Sequence, residues 1–194
     1  MKKKIVTLAV LTICLATLAS GTLAYFTAKD TAHNVITSGT VDIEIEEWQD
    51  PDGDRNDYLP YPAAPIEIMP GAAVSKIVKI KNLEADAYIR AQFDVIVKKA
   101  DNTVMEITSE ELADIISVKT NGNYWERKAG DNEWWYYNES VKKDHSTNPL
   151  FTEVTFSGPN MTNKYQGCTV EIVVNAQAVQ TANNGNSAMD AVGW

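Results

Sequence analysis

The chain has 194 residues, 44% of them apolar and 9% aromatic, and carries a formal net charge of −9. That length suits one domain or two small ones, with enough apolar residues to bury a core. The acidic balance repels polyanions, which excludes nucleic acid as the expected partner and disfavours anionic lipid.

At the front, Lys2, Lys3 and Lys4 precede the apolar run "IVTLAVLTICLATLA" over residues 5–19, and small residues follow. This is the pattern of a secretory signal peptide over residues 1–24, with Thr22-Leu23-Ala24 as the small-x-Ala site and the cut between Ala24 and Tyr25. The alternative is an uncleaved anchor, since the run can be extended to Phe26, about the length of a membrane span. The small residues favour cleavage, which leaves 14 basic and 26 acidic residues and a net charge of −12. No second apolar span follows, and the final "SAMDAVGW" has no wall-sorting signal. Cys14 lies inside the signal, behind Ile13 where lipidation needs a small residue. Cys168 is then the one remaining cysteine, so stability must come from packing without an internal disulfide. In a strand it reads as a small buried hydrophobe, with an intermolecular bridge as the alternative.

Beyond the cut, residues 25–37 read as a weak strand beside a free end. In "TVDIEIEEW", Val41, Ile43 and Ile45 alternate with Asp42, Glu44 and Glu46, which is a strand with one buried and one wet face. Residues 49–71, "QDPDGDRNDYLPYPAAPIEIMPG", concentrate prolines and aspartates and read as a long, partly extended surface loop. Alternation returns in "VSKIVKIKN" over 74–82, with its lysines on the outer face. It recurs in "AYIRAQFDVIV", with Ile89, Ala91, Phe93, Val95 and Val97 on one face. "TSEELADII" is a short helix in which Thr108 and Glu111 suit a capping box. "YWERKAGDNEWWYY" is a hairpin turning at 129–132. "LFTEVTF" and "TVEIVVNAQAVQ" complete the set, the latter with Val170, Ile172, Val174, Ala176 and Ala178 on one face. About seven or eight strands with one or two short helices predict an all-β, antiparallel β-sandwich forming a single domain over 25–194. Strict alternation argues against a doubly wound parallel sheet, whose strands are continuous apolar runs.

Few residues suggest chemistry. Asp50, Asp52, Asp54 and Asp57 share one loop, and alternating carboxylates can wrap a hard cation such as Ca²⁺. Their spacing begins like an EF-hand, but Gly53 comes too early and Tyr61 stands where a bidentate glutamate is needed, which favours a solvated acidic turn. His33 and His145 are far apart, and there is no H-E-x-x-H, no G-x-S-x-G and no phosphate-cradling glycine loop. Trp125, Trp134, Trp135, Tyr136 and Tyr137 crowd one hairpin, so alternate members must face opposite ways. Core packing with an assembly contact is the expected pair of roles, and stacking against a sugar the alternative.

The segment "GTLAYFTAKDTAHNVITSGTVDIEI" resembles the signal-and-first-strand region of the TasA/camelysin (CalY) family of Gram-positive bacteria, through Gly21-Thr22-Leu23-Ala24, Phe26, Ser38-Gly39-Thr40 and then Val41, Ile43 and Ile45. "IMPGAAVSKIVKIKN" is similar to the family's Pro-Gly lead into the next strand, and "WWYYN", "LFTEVTF" and "VEIVVNAQAVQ" to its C-terminal strands. "VKKDHSTNPLF" departs from it where a further Pro-Gly turn is expected. The resemblance implies a jelly-roll sandwich, export through a SipW-type signal peptidase, and a structural rather than enzymatic role in extracellular biofilm-matrix fibres. Its partners would be other copies of itself and related matrix proteins. It further implies assembly by exchange of an N-terminal donor strand within residues 25–47, with Phe26, Val35, Ile36, Val41, Ile43 and Ile45 as assembly residues. Each buried apolar side chain stabilises by roughly 1.5–3 kcal/mol, while ordering each backbone residue costs roughly 1–2 kcal/mol, so assembly should be conditional. Two rival expectations stand beside it: a secreted metallopeptidase, a label some camelysin relatives carry although this chain lacks a zinc motif, and a monomeric cell-surface binding module.

Overall fold

The computed structural model describes residues 26–37, 41–53, 57–62, 66–131 and 133–194. The alternating segments become strands: β1 (Phe26–Thr37), β2 (Ile43–Gln49), β5 (Ala73–Asn82), β6 (Ala87–Lys98), β10 (Phe151–Phe156) and β11 (Thr169–Gln180). The aromatic hairpin supplies β8 (Trp125–Arg127) and β9 (Trp135–Tyr137). Three short strands were not expected: β3 (Leu59–Pro60) and β4 (Ile66–Ile68) inside the proline-rich loop, and β7 (Ile116–Thr120). One α-helix, α1 (Ser109–Ile115), and one 3-10 turn (Asn163–Tyr165) complete the described elements.

Two sheets pack face to face. The first has the order β4-β1-β11-β6-β9-β8 and the second β3-β2-β5-β10-β7. Neighbours are antiparallel with one exception: β1 runs parallel to β11. The expected all-β sandwich with a short helix is therefore present, with one parallel pairing inside it. The core lies between the sheets. Val170, Ile172, Val174, Ala176 and Ala178 of β11 meet Val41, Ile43, Ile45, Val78, Ile80 and Phe151 from the other layer. Phe93 of β6 contacts Phe151 of β10 edge-to-face at 5.1 Å between centroids, a favoured aromatic geometry that ties the two sheets together.

Local chemistry explains the joints. Met69–Ala72 forms a turn in which Ala72 N donates to Met69 O at 3.0 Å, with Pro70 second and Gly71 third at φ +82°. Proline supplies the fixed φ and glycine the left-handed position that a type II turn requires, immediately before β5. Where a Pro-Gly turn was expected near 142–145, Asp144 takes the left-handed position at φ +62°, and His145 N donates to Lys142 O at 3.1 Å. Aspartate tolerates that conformation better than most residues. The Thr108 hydroxyl caps α1 by accepting from Glu111 N at 3.2 Å. The helix stops one residue earlier than its pattern suggested, and Ile116 already has strand dihedrals, with φ −134° and ψ 130°.

A second apolar cluster sits on the outer face of the first sheet. Tyr88, Tyr136 and Val179 are covered there by Ala188, Ala191, Met189 and Trp194 of the C-terminal segment 181–194. Lys128 Nζ donates to Met189 O at 2.7 Å, which ties the segment to the hairpin, and Val192 N donates to Asn184 Oδ1 at 2.8 Å within the segment.

Candidate functional site

The site is the slot that β1 occupies. Along β11 the register runs from Thr27 opposite Thr169 to Thr37 opposite Ala178, with an irregularity between Thr31 and Asn34. On its other side β1 pairs with β4 only at its tip: Phe26 opposite Ile68, Thr27 opposite Glu67 and Ala28 opposite Ile66. The tip is gripped from two sides, while the remainder is held by β11.

The wall of the slot is well defined. On the core side β11 presents Val170, Ile172, Val174, Ala176 and Ala178, none more than 5% exposed. Glu171 is also buried and forms an ion pair with Lys98 of β6. Lys29 of β1 stands in register opposite Glu171, and Asn34 opposite Asn175, which in turn faces Gln92 of β6. Any extended chain can satisfy the main-chain groups of such a wall, so sequence preference must come from these register positions.

The six candidate assembly residues fall in two places. Phe26, Val35 and Ile36 lie in β1, with Val35 opposite Ala176 and Ile36 opposite Gln177. Val41, Ile43 and Ile45 belong to the other layer, at 2%, 4% and 8% exposure in the core. They lie in the core of the body, whereas Phe26, Val35 and Ile36 belong to the strand beside β11. Ala24 and Tyr25, the expected cleavage residues, lie outside the described residues.

The described parts of the proline-rich loop are more structured than its composition suggested. The side chain of Asp50 accepts from Gly53 N at 2.9 Å, and Asp50 N donates to Ser75 Oγ at 2.8 Å, folding the acidic turn back over β5. Asp52 and Asp57 are exposed, and Asp54 lies outside the described residues. Among the described residues no three His, Cys, Asp or Glu side chains converge in a way that could hold a metal ion. Past that turn, Tyr61 N donates to Glu47 O at 3.0 Å, and its ring lies 3.8 Å from the Lys76 ammonium. Lys76 pairs with Glu47 at 3.1 Å, with both side chains under 10% exposed. The expectation that the lysines of β5 face outward fails at Lys76, which is buried with Glu47 as its counter-charge, both at apolar-phase positions of their strands.

The aromatic hairpin is largely spent on packing. Trp125 and Tyr137 enter the core, and Trp125 Nε1 donates to Asn148 O at 3.0 Å. On the outer face, the Arg90 guanidinium lies 4.4 Å from the Trp134 ring and 4.7 Å from that of Trp194. Arg90 Nε and Nη2 both donate to Gln177 Oε1, at 2.9 and 2.6 Å, and Nη1 donates to the Tyr136 hydroxyl at 3.2 Å. The Tyr136 hydroxyl donates to Asp131 Oδ2 at 2.7 Å, which holds the Asp131 carboxyl below its usual range. Burial, together with that carboxylate, pushes the Tyr136 hydroxyl up. His145 is exposed, with Nδ1 2.8 Å from Lys143 O, whereas His33 lies in β1. Cys168 is 3% exposed, and burial raises its thiol pKa, as suits an inert packing residue.

No protein-family model matches the chain, and no curated protein matches it.

Proposed function

We propose that this is an exported structural protein, without catalysis, that polymerises into extracellular matrix fibres of the TasA/camelysin kind. Each copy gives its β1 to the sheet of the next. The observation that carries this reading is the position of β1: it is the front strand, next to a predicted signal-peptidase cut, and it fills a slot inside a sheet whose other strands are contributed by residues 66–180. Val41, only four residues beyond β1, is already fixed in the core of the opposite layer, so β1 can leave while the body stays folded. An open slot then exposes the apolar wall and unpaired main chain of β11, which a second copy's β1 satisfies in the same register.

The test is deletion of residues 25–37 from the exported chain. The shortened protein should remain a folded monomer by circular dichroism and size-exclusion chromatography and form no fibres by electron microscopy. Normal polymerisation of the shortened chain would overturn the reading. A casein assay with and without chelator tests the peptidase alternative on the same material, with no chelator-sensitive cleavage expected.

A further inference from the structure

We infer that β4, fastened upstream at Tyr61, is a clasp that sets how readily β1 leaves its slot. This concerns regulation of the same site and rests on the strand-exchange reading above.

The placement of the clasp is the first argument. Among the described strands β4 pairs with β1 alone, at three positions, and those positions are the first three residues of β1. A strand with a free end frays from that end. The clasp therefore grips the part that must leave first, while β11 continues to hold the rest.

Its attachment is the second argument. The segment between β2 and β5 carries β3 in the second sheet and β4 in the first, so it straps one sandwich edge to the other. The strap is fastened at Tyr61, through the hydrogen bond to Glu47 O and through the ring lying over Lys76, whose ammonium is itself paired with Glu47. A cation held against an aromatic face away from water is a stronger contact than the same pair at the surface. Pro62 follows directly and Ile66 opens β4 four residues later, so the fastening point lies close to the clasp in sequence. With three ladder positions, β4 alone is too short to be a stable edge strand, and fastening at Tyr61 keeps it at hand.

The clasp explains why a chain carrying its own donor strand could persist as a closed monomer until assembly. Opening the clasp leaves the tip of β1 held from one side only, by its pairing with the Thr169 end of β11.

The experiment measures uptake of a fluorescent twelve-residue peptide with the β1 sequence FTAKDTAHNVIT by protein purified from the medium after export of the full chain. Two variants weaken the clasp at separate points. Glu67→Pro removes the amide opposite Thr27 and disrupts strand pairing, and Tyr61→Ala removes the ring over Lys76. Each variant is first confirmed as folded by circular dichroism. Both should take up peptide, and begin to polymerise, about tenfold faster than the parent, equivalent to ~1.4 kcal/mol in the barrier. If both folded variants exchange at the parental rate while the chain lacking residues 25–37 fails to polymerise, the clasp is wrong and strand exchange stands. If the shortened chain polymerises, strand exchange fails and the clasp fails with it.

Discussion

Arg90 and Tyr165 show what single side chains do here. Arg90 gathers Trp134, Tyr136, Gln177 and Trp194 around one guanidinium, so a charge on the outside of a sheet organises the C-terminal cover of that sheet. Tyr165 packs into the core while its hydroxyl donates to Glu111, which also pairs with Lys164. Burial, and then that carboxylate, push the Tyr165 hydroxyl up to about 12. An unfolded tyrosine titrates near ~10, so the folded state holds its proton over a window where the unfolded state has lost it. This stabilising contribution is complete below pH ~10 and disappears as pH rises toward 12. Denaturant midpoints should therefore fall between those two values in the parent, and Tyr165→Phe should flatten that fall. Glu111 behaves in the opposite sense: hydrogen bonds from Lys164 and then Tyr165 lower its pKa, so its contribution is present at neutral pH and lost on acidification.

At the scale of elements, the turn before β5 is a sharp test. Gly71 holds φ +82°, and a Cβ there would stand 3.7 Å from the Gly158 Cα, an ordinary contact. Space is not the obstacle, so Gly71→Ala should cost about 1–2 kcal/mol through the left-handed backbone alone, read as a shift in urea midpoint with unchanged slope. Such turns and the long strands were legible in the sequence because each has a local cause: alternation for β2, β5, β6 and β11, and Pro-Gly chemistry for the turn. Pairing partners were not. A two-residue period reports which face is buried but says nothing of the neighbour or its direction, so the parallel contact of β1 with β11 could not be read. The strands β3 and β4 have two and three residues, too few to show a period among prolines. Ile116 was absorbed into the helix because two consecutive isoleucines satisfy either pattern. The C-terminal cover, "TANNGNSAMDAVGW", lacks periodicity altogether. Its only advance notice was Tyr88 and Val179, apolar residues in the outward phase of β6 and β11.

For the whole molecule, net charge would oppose the proposed assembly. The full chain has a pI of about 4.7, and cleavage of the lysine-bearing front would make the remainder more acidic. Copies of the cleaved chain would repel at neutral pH, and association should quicken as acidification lowers their charge. The carboxyls of Asp101, Glu110, Glu111 and Asp131 all titrate below their ordinary values, held down chiefly by hydrogen bonds, so the fold keeps these contributions until the pH falls further. Light scattering across a pH series should show growth accelerating toward mildly acid conditions, with circular dichroism unchanged until the carboxylate range is passed. The place of β1 in its slot would also reach beyond one molecule. If each copy gives that strand to the next, every contact is heterologous, and each link of a thread points like an arrow, with a vacant groove at one extremity and a loose tail at the other. Such a thread lengthens and heals head to tail, and two like extremities have nothing to offer each other.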